Sequence, residues 1–471
     1  MKYAAAIFLS LAVSAGGQTT IPDTRPGAAL RAWLDAFNSG DRARVASYYD
    51  RYQPTEKSRI DSLMGFREQT GGFQLIRIEK SEPLHLEALV KERDGSNFGL
   101  LKLDLNDGDP PTVKQMGLRI VPPPSNQPQA ARLAWRDAVT ALDSKAAELA
   151  SQDKFSGAVL VARRDAIALE KAYGSADRAK QVSNTVETQF RIGSMNKMFT
   201  ATAILQLVGE GKVDLAAPLG RYLPDYPNHD VASKVTIRHL LTHTGGTGDI
   251  FTPEYEKHRL EVRELGDYVK LFGARGPEFE PGSKWAYSNY GFILLGVVIE
   301  KVSGVPYYDY VRKHVFEPAG MRSTDSLPET DVVAKRSMGY MRKNGAWVSD
   351  AEILPWRGTS AGGGYSTVGD LFRFAQALCA GTLIKPDLFA QMTSKQAGDP
   401  QMGPSAGYGF GMMVSEEPQG KRFGHGGGAP GMNGELRVYP RTGTIVVVLA
   451  NLDPPAATRI ADFFDERMPV D

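Results

Sequence analysis

The sequence predicts an α+β protein of two domains, and three observations support this prediction. In residues 24–120, helical patterns come first and a series of strand patterns follows. A proline-rich run at 121–130 interrupts both kinds of pattern. In 131–471, strand patterns stand at both ends with helical patterns between them, which is typical of one antiparallel or mixed sheet with a helical insert beside it.

Residues 1–15 have the pattern of a secretory signal peptide. Lys2 supplies a positive charge, an apolar run follows at 4–13, and Val13-Ser14-Ala15 is a small-residue cleavage site. The apolar run is too short to span a bilayer, and no cysteine follows it for lipid attachment. We therefore expect export to the periplasm or the medium, with no stable membrane anchor. The alternative is an uncleaved N-terminal helix that packs in the core.

Charge and cysteine content exclude several classes of function. The 471 residues carry a net charge of +1, which gives no electrostatic reason to bind nucleic acid. A single cysteine, Cys379, excludes an intrachain disulfide. It lies in a predicted helix whose apolar side includes Leu371, Phe374, Ala375 and Leu378, so we expect a buried thiol without a catalytic role.

The small domain at 24–120 begins with an amphipathic helix. Leu30, Trp33, Leu34 and Phe37 repeat at helical spacing, and a second helix follows the break at 38–41. Strands are predicted at 73–78, 85–90, 98–105 and 113–120. The segment Ala36-Phe37-Asn38-Ser39-Gly40-Asp41 resembles NTF2-like domains. The residues of this domain form no recognisable catalytic constellation.

The second domain follows the linker at 121–130, where consecutive prolines block helix and ladder pairing. A helix is expected over about 131–150. Strands are predicted at 155–162, 166–173, 422–426, 434–439 and 444–450. The first and last strands must meet in one sheet, and the helical segments between them pack beside it.

The segment Gly193-Ser194-Met195-Asn196-Lys197 opens a predicted helix that runs to about residue 209. Residues three apart share one helix face, so Lys197 can reach the Ser194 hydroxyl. A serine is a weak nucleophile unless a base takes its proton, and a buried lysine with a lowered pKa can be that base. The competing interpretation is an N-cap serine beside a solvated lysine.

Two further segments carry groups that suit the same chemistry. Tyr287 and Asn289 lie between a Pro-Gly turn and an apolar helix, where a phenol could relay a proton and an amide could hold a substrate carbonyl. Each could instead be a packed tyrosine and an N-cap asparagine. His425-Gly426-Gly427-Gly428 ends a predicted strand, and the Gly428 and Ser194 N–H groups could form an oxyanion hole. The alternative there is a flexible turn.

Taken in order, these three segments resemble the motifs of the penicillin-recognising serine hydrolase superfamily, in its class C β-lactamase and serine esterase branch. Ser194–Lys197 matches S-x-x-K, Tyr287–Asn289 matches Y-x-N, and His425–Gly427 stands at the K-T-G position. Residues 235–246 and 361–367 resemble two further segments of the family. The likeness covers about 135–452, and it implies a β-lactamase/transpeptidase-like fold for 131–471.

The resemblance also implies roles. Ser194 would be acylated, and Lys197 and Tyr287 would move its proton. Asn289 would contact the substrate amide or ester, and His425, Gly427 and Gly428 would line the substrate. It implies a small-molecule or peptide substrate and no metal or organic cofactor.

Position 425 departs from the family pattern. His425 replaces a lysine that helps to hold the carboxylate of β-lactams, and a neutral histidine does this less well. Gly426 replaces a hydroxyl side chain that could contact the same carboxylate. We therefore expect esters or small amides to be better substrates than β-lactams.

Two other patterns compete with this interpretation. Gly358-Thr359-Ser360-Ala361-Gly362 fits the G-x-S-x-G of α/β-hydrolases, but the H-G-G-G segment follows the serine instead of preceding it. His239 and His243 have zinc-like spacing but lack the glutamate of H-E-x-x-H.

The sequence therefore predicts an exported serine hydrolase, with a non-catalytic binding or sensor protein of the same fold as the alternative. The natural substrate, the oligomeric state and the role of the small domain stay open.

Overall fold

The computed structural model describes residues 20–471 except 96, 122, 125–129, 344–345 and 400–404. The chain divides into two compact units, Met1–Pro128 and Gln129–Asp471. The predicted signal peptide at 1–15 and much of the predicted linker at 121–130 lie outside the described residues.

The first unit contains three helices and one antiparallel sheet. The helices are α1 (Arg25–Ser39), α2 (Arg42–Tyr52) and α3 (Ile60–Thr70). The strands, paired in chain order, are β1 (Phe73–Ser81), β2 (His85–Glu92), β3 (Phe98–Leu105) and β4 (Val113–Val121). Thr24 and Asp41 cap the first two helices with side-chain oxygens, which explains where each begins.

Aromatic stacking builds the core of this unit. Trp33 and Phe37 lie one turn apart on α1 and stack at 4.8 Å, and Phe37 stacks on Phe73 of β1 at 5.4 Å. The α+β prediction for this unit is confirmed, whereas its likeness to NTF2-like domains stays a prediction. Helix α3 was not predicted because only Ile60 and Thr70 are buried, so its sequence has no apolar stripe.

The second unit is organised around a seven-stranded antiparallel sheet in the order β13-β14-β15-β16-β17-β5-β6. Its strands are β5 (Gly157–Arg163), β6 (Ala166–Tyr173), β13 (Ala406–Tyr408), β14 (Met413–Glu417), β15 (Gly420–Ala429), β16 (Met432–Tyr439) and β17 (Thr444–Ala450). The C-terminal strand β17 pairs with the N-terminal strand β5, as the sequence predicted.

Short strand pairs lie outside the sheet. They are β7 (Ser175–Asp177) with β8 (Val182–Ser183), β9 (Phe190–Arg191) with β12 (Tyr365–Ser366), and β10 (Tyr340–Lys343) with β11 (Ala346–Ser349).

The helices of the second unit lie on both faces of the sheet and in the insert between its strands. They are α4 (Trp135–Ser151), α5 (Asn196–Gly209), α6 (His229–Lys234), α7 (Ile237–Leu241), α8 (Pro253–His258), α9 (Leu265–Phe272), α10 (Asn289–Ser303), α11 (Tyr307–Val311), α12 (Val368–Cys379), α13 (Pro386–Met392) and α14 (Ala456–Asp465).

Strand β17 shows that both faces of the sheet are buried. Its residues are all buried, and alternate ones belong to different core clusters because strand side chains alternate between the two faces. Ile445, Val447 and Leu449 pack in the cluster that contains α5, α10 and α12. Val446 and Val448 pack in the cluster that contains α4 and α14.

Helices α5 and α10 are buried almost all round, which is typical of helices inside a large core. Among the described residues, no single helix has the length and apolar composition to cross a membrane. The bent pair Asn289–Ser303 and Tyr307–Phe316 meets that test only when its two members are taken together.

The expected burial of Cys379 is wrong. The residue is exposed because it is the last residue of α12, where the helix leaves the core that holds Leu371, Phe374 and Leu378. Desolvation by its surroundings, with a smaller effect of Asp165, still raises the pKa of the thiol to about 11, so it is a poor nucleophile.

Candidate active site

The nucleophile candidate lies where a tight turn enters α5. Ser194 is part of a single 3₁₀ turn, Gly193–Met195, and α5 starts at the next residue. Gly193 has φ +51°, a conformation that costs glycine little. The turn makes Ser194 partly accessible while Lys197, one turn along, is fully buried.

The ammonium group of Lys197 has three close oxygen neighbours. Nζ lies 3.2 Å from Ser194 Oγ, 2.7 Å from Asn289 Oδ1 and 2.6 Å from the Ala361 carbonyl oxygen. The two carbonyl oxygens can only accept, so they hold two N–H bonds of the lysine. In the neutral amine the lone pair is then left for the Ser194 hydroxyl proton.

Burial allows the neutral amine to form near physiological pH. Desolvation lowers the pKa of Lys197 to about 7, and the negative charge of Asp249 opposes the shift. The alternative of a solvated lysine beside an N-cap serine is therefore wrong.

Tyr287 lies next to both Lys197 and Ser194. Its ring centroid lies 4.7 Å from Lys197 Nζ, and its hydroxyl forms a hydrogen bond with the Ser194 side chain. Burial raises the pKa of Tyr287 above its ordinary value, and the bond to Ser194 offsets only part of this. Tyr287 is therefore a neutral phenol.

Asn289 occupies the first turn of α10, where Ser288 and not Asn289 is the N-cap. Its Oδ1 accepts from Lys197, and its Nδ2 donates to both Asp249 carboxylate oxygens at 3.0 and 3.3 Å. Both ends of the amide are thus used inside the protein, so the structure gives no support to the expected contact with substrate.

The glycines of β15 lie against the turn that carries Ser194. A Cβ atom at Gly427 would come within 1.9 Å of the Ile192 carbonyl oxygen, so only glycine permits this approach. A Cβ atom at Gly193 would come within 3.0 Å of the Gly428 nitrogen. The Gly428 and Ser194 backbones are thereby brought to the same place, whereas the donor positions toward an oxyanion stay a prediction.

His425 is a buried structural group in this arrangement, 2% exposed. Its Nδ1 lies 2.5 Å from the Gly426 carbonyl oxygen and must carry the proton, so its Nε2 accepts from the Tyr408 hydroxyl at 2.9 Å. Desolvation and the nearby Lys197 lower the pKa of His425 to about 3. The imidazole is therefore neutral, and both its nitrogens are used inside the protein.

A second histidine, His243, packs its ring against the ring of Tyr287. The ring of His243 lies 4.3 Å from the Tyr287 ring and 4.6 Å from the Tyr408 ring. Its Nδ1 accepts from the Ser288 backbone N–H at 3.1 Å. Desolvation, with the nearby Lys197 and His425, lowers the pKa of His243 well below its usual value, so this ring is neutral too.

The structure also shows what the residues of the two competing patterns, the His239–His243 pair and the segment around Ser360, contact. Thr236 is the N-cap of α7, and His239 completes its capping box from the third helical position. His243 packs among aromatic rings, so both histidines stabilise the fold. Within the described ranges, no cluster of three or more His, Cys, Asp or Glu side chains could hold a metal ion. Ser360 is fully buried, and its hydroxyl packs tightly against Gly296, so it cannot be an exposed nucleophile.

Sequence reasoning missed two members of the site. Ala361 contributes only a carbonyl oxygen, which no residue type reveals. Asp249 contacts Asn289 from a glycine-rich loop, and it is the only acidic residue between Arg238 and Glu254. A single carboxylate within a glycine- and threonine-rich loop is the signal that could have drawn attention to it.

Comparison with known proteins agrees with this geometry. The family described as Beta-lactamase matches residues 142–467. A penicillin-binding protein from Bacillus halodurans is 32% identical, with a TM-score of 0.62, over 67% of this chain and 98% of that one. A D-stereospecific amidohydrolase from Streptomyces sp. is 29% identical, with a TM-score of 0.59, over 68% of this chain and 97% of that one.

A third relative is an esterase. Esterase EstB of Burkholderia gladioli is 29% identical over 59% of this chain and 80% of its own length. The predicted fold of the second unit is thus confirmed, and the α/β-hydrolase alternative is wrong. The chain belongs to the β-lactamase family, within the penicillin-recognising serine hydrolase superfamily.

Proposed function

We propose that this protein hydrolyses esters or small amides through a covalent acyl-enzyme on Ser194. The observation that carries the proposal is the set of contacts of the buried Lys197. Its Nζ donates to two carbonyl oxygens, and the remaining contact of Nζ is with Ser194 Oγ. A lysine with a pKa of about 7 is half neutral at neutral pH, as a general base requires.

Acylation starts when neutral Lys197 takes the Ser194 hydroxyl proton as Oγ attacks the substrate carbonyl carbon. The carbonyl oxygen becomes an oxyanion, which the Ser194 and Gly428 N–H groups stabilise. Tyr287 gives its phenolic proton to the leaving alcohol or amine and regains one from protonated Lys197. The bond to the leaving group then breaks and leaves an ester on Ser194.

Deacylation reverses these roles. A water molecule attacks the ester carbon, and its proton passes through Tyr287 to Lys197. When the tetrahedral intermediate collapses, Ser194 Oγ leaves and takes a proton back, and the acid is released. A neutral Tyr287 suits this relay better than a phenolate, because it can give a proton in one step and accept one in the next.

The environment of His425 supports a preference against β-lactams. A neutral, fully bonded imidazole offers no cation for the carboxylate of a β-lactam. The names of the relatives include an esterase and a D-stereospecific amidohydrolase, which is compatible with ester or amide cleavage here. A screen of p-nitrophenyl butyrate, D-amino-acid p-nitroanilides and nitrocefin tests this preference, with Ser194→Ala as the blank.

We further propose that the protein acts outside the cytoplasm after removal of residues 1–15. The supporting observation is the charged start, apolar run and small-residue site of that segment. Mass spectrometry of protein from the extracytoplasmic fraction should give an N-terminus near Gly16. An intact Met1 or Lys2 terminus in that fraction would contradict export by cleavage.

A further inference from the structure

We propose that Asp249 is a positioning residue that fixes the amide orientation of Asn289 and, through that amide, aligns Lys197 with Ser194. The inference rests on the proposed function, because it concerns how the base at Ser194 is held. It assigns a role to a residue outside the three motifs that indicated the site.

The geometry is a chain of hydrogen bonds that ends on the serine. The Asp249 carboxylate accepts from Asn289 Nδ2 at 3.0 and 3.3 Å. Asn289 Oδ1 accepts from Lys197 Nζ at 2.7 Å, and Lys197 Nζ lies 3.2 Å from Ser194 Oγ. Asn289 is 8% exposed and Lys197 is fully buried, so little water can replace these partners.

A carboxylate in this place permits only one orientation of the Asn289 side chain. An ionised carboxylate accepts hydrogen bonds and cannot donate them, so it must face the NH₂ end of the amide. Rotation by 180° would place Oδ1 against the Asp249 oxygens and N–H bonds against those of Lys197. The amide carbonyl is therefore held toward Lys197, where it fixes one lysine N–H and keeps the lone pair free for Ser194.

The loop that carries Asp249 is hydrogen-bonded to the start of α10, the helix that carries Asn289. Ser288 Oγ lies 2.9 Å from Thr247 Oγ1 and donates to the Gly248 carbonyl oxygen at 2.5 Å. Arg275 Nη1 donates to the Asp249 carbonyl oxygen at 2.9 Å. Because Ser288 also caps α10, the loop and Asn289 move together, so the distance between carboxylate and amide is built into the fold.

Asp249 also sets the charge around the base. Besides the Ser194 hydroxyl, the groups that face Lys197 are the titratable side chains of Tyr287, His243, His425 and Asp249. Burial keeps Tyr287 and both histidines neutral, so Asp249 supplies the negative charge. That charge raises the pKa of Lys197 against the effect of burial, and its removal should lower the pKa further.

The test follows the rate at which a fluorophosphonate labels Ser194, measured from pH 5 to 10 in wild type and Asp249→Asn. The probe has no titratable group in this range, so the acidic limb of the profile reports the base. In Asp249→Asn we expect the plateau rate to fall about 10- to 100-fold, because Asn289 can then rotate. We also expect the acidic limb to move to lower pH by about one unit.

Two further variants complete the design. Asp249→Glu keeps the charge but not the distance, so its limb should stay at the wild-type pH while its plateau falls. Asp230→Asn, the same change on the exposed helix α6, should match wild type in both respects. If Asp249→Asn does not fold, Asp249→Glu alone carries the test.

The outcomes separate the two claims. If wild type is not labelled at Ser194, the proposed function itself is wrong. If wild type is labelled but Asp249→Asn loses rate with its acidic limb unmoved, Asp249 only supports the structure and the inference is wrong. A wild-type plateau in Asp249→Glu would also contradict it, because position and not charge alone is what the geometry requires.

Discussion

Lys197 Nζ lies 3.2 Å from Ser194 Oγ, and the Lys197 side chain is fully buried. Solvation cannot then stabilise the ammonium form, and the amine becomes a base that works near neutral pH. Proton transfer from a serine hydroxyl over one short contact is the step on which the proposed chemistry depends.

Activity should fall as Lys197 becomes protonated. The pKa of Lys197 is about 7, so kcat/KM for p-nitrophenyl butyrate should drop about tenfold per pH unit below this value and level off above it. Lys197→Met removes the base with little change in volume, and its rate should be at least about a thousandfold lower at pH 8. A wild-type profile that is flat from pH 5 to 8 would contradict a lysine base.

Tyr287→Phe tests the phenol separately from the ring. Phenylalanine keeps the packing on His243, whose ring lies 4.3 Å away, and removes only the hydroxyl. We expect kcat to fall about 100-fold with little change in the unfolding temperature, since general acid–base groups commonly contribute this much. Wild-type kcat in this variant would show that the leaving group obtains its proton elsewhere.

His425→Lys tests the basis of substrate preference, with His425→Gln as a neutral control. A lysine at this place adds a cation that can bind a carboxylate, an interaction worth about 1.5–3 kcal/mol. The ratio of nitrocefin to p-nitrophenyl butyrate hydrolysis should rise about ten- to a hundredfold in the lysine variant only. A wild type that prefers nitrocefin, or a folded lysine variant with an unchanged ratio, would contradict the expectation.

Acid stability should also depend on His425. Its pKa is about 3 in the folded state and about 6.5 when unfolded, so between these values the unfolded chain binds more protons. The free energy of unfolding therefore rises with pH across this window, and the contribution is lost as pH falls from 6.5 toward 3. His425→Gln cannot be protonated, so its loss of stability between pH 6.5 and 4 should be about 1–3 kcal/mol smaller than in wild type. Urea unfolding at several pH values measures this difference.

The periodic and local features of this protein could be predicted from its sequence. Strand β17 is apolar at every position after Thr444 and was predicted over its observed residues 444–450, and α10 was predicted as an apolar helix after a Pro-Gly turn. The Ser194–Lys197 pair was found because one helical turn brings it together whatever the rest of the chain does.

Contacts between distant segments could not be predicted in this way. Asp249 and Asn289 are 40 residues apart, and Tyr408 bonds to His425 from another strand, so neither contact leaves a local pattern. The helix at the C-terminal end, α14, was not predicted either, although its apolar residues pack against the sheet.

The exposed Cys379 shows a different reason for error. Its helix has the predicted apolar stripe, but the expected thiol lies one residue beyond the part of the stripe that the core covers. Where a helix leaves the core depends on the neighbouring elements, which periodicity alone does not report.

Covalent labelling of Ser194 tests the central claim most directly. Wild-type protein would be treated with a fluorophosphonate probe, digested, and mapped by mass spectrometry, with Ser194→Ala and the buried Ser360→Ala variant treated in parallel. We predict that the probe modifies the peptide containing Ser194 in wild type and in Ser360→Ala, and that Ser194→Ala, folded to the same unfolding temperature, is neither labelled nor active. Labelling elsewhere in wild type, or near-parental turnover by Ser194→Ala, would contradict an acyl-enzyme on this serine.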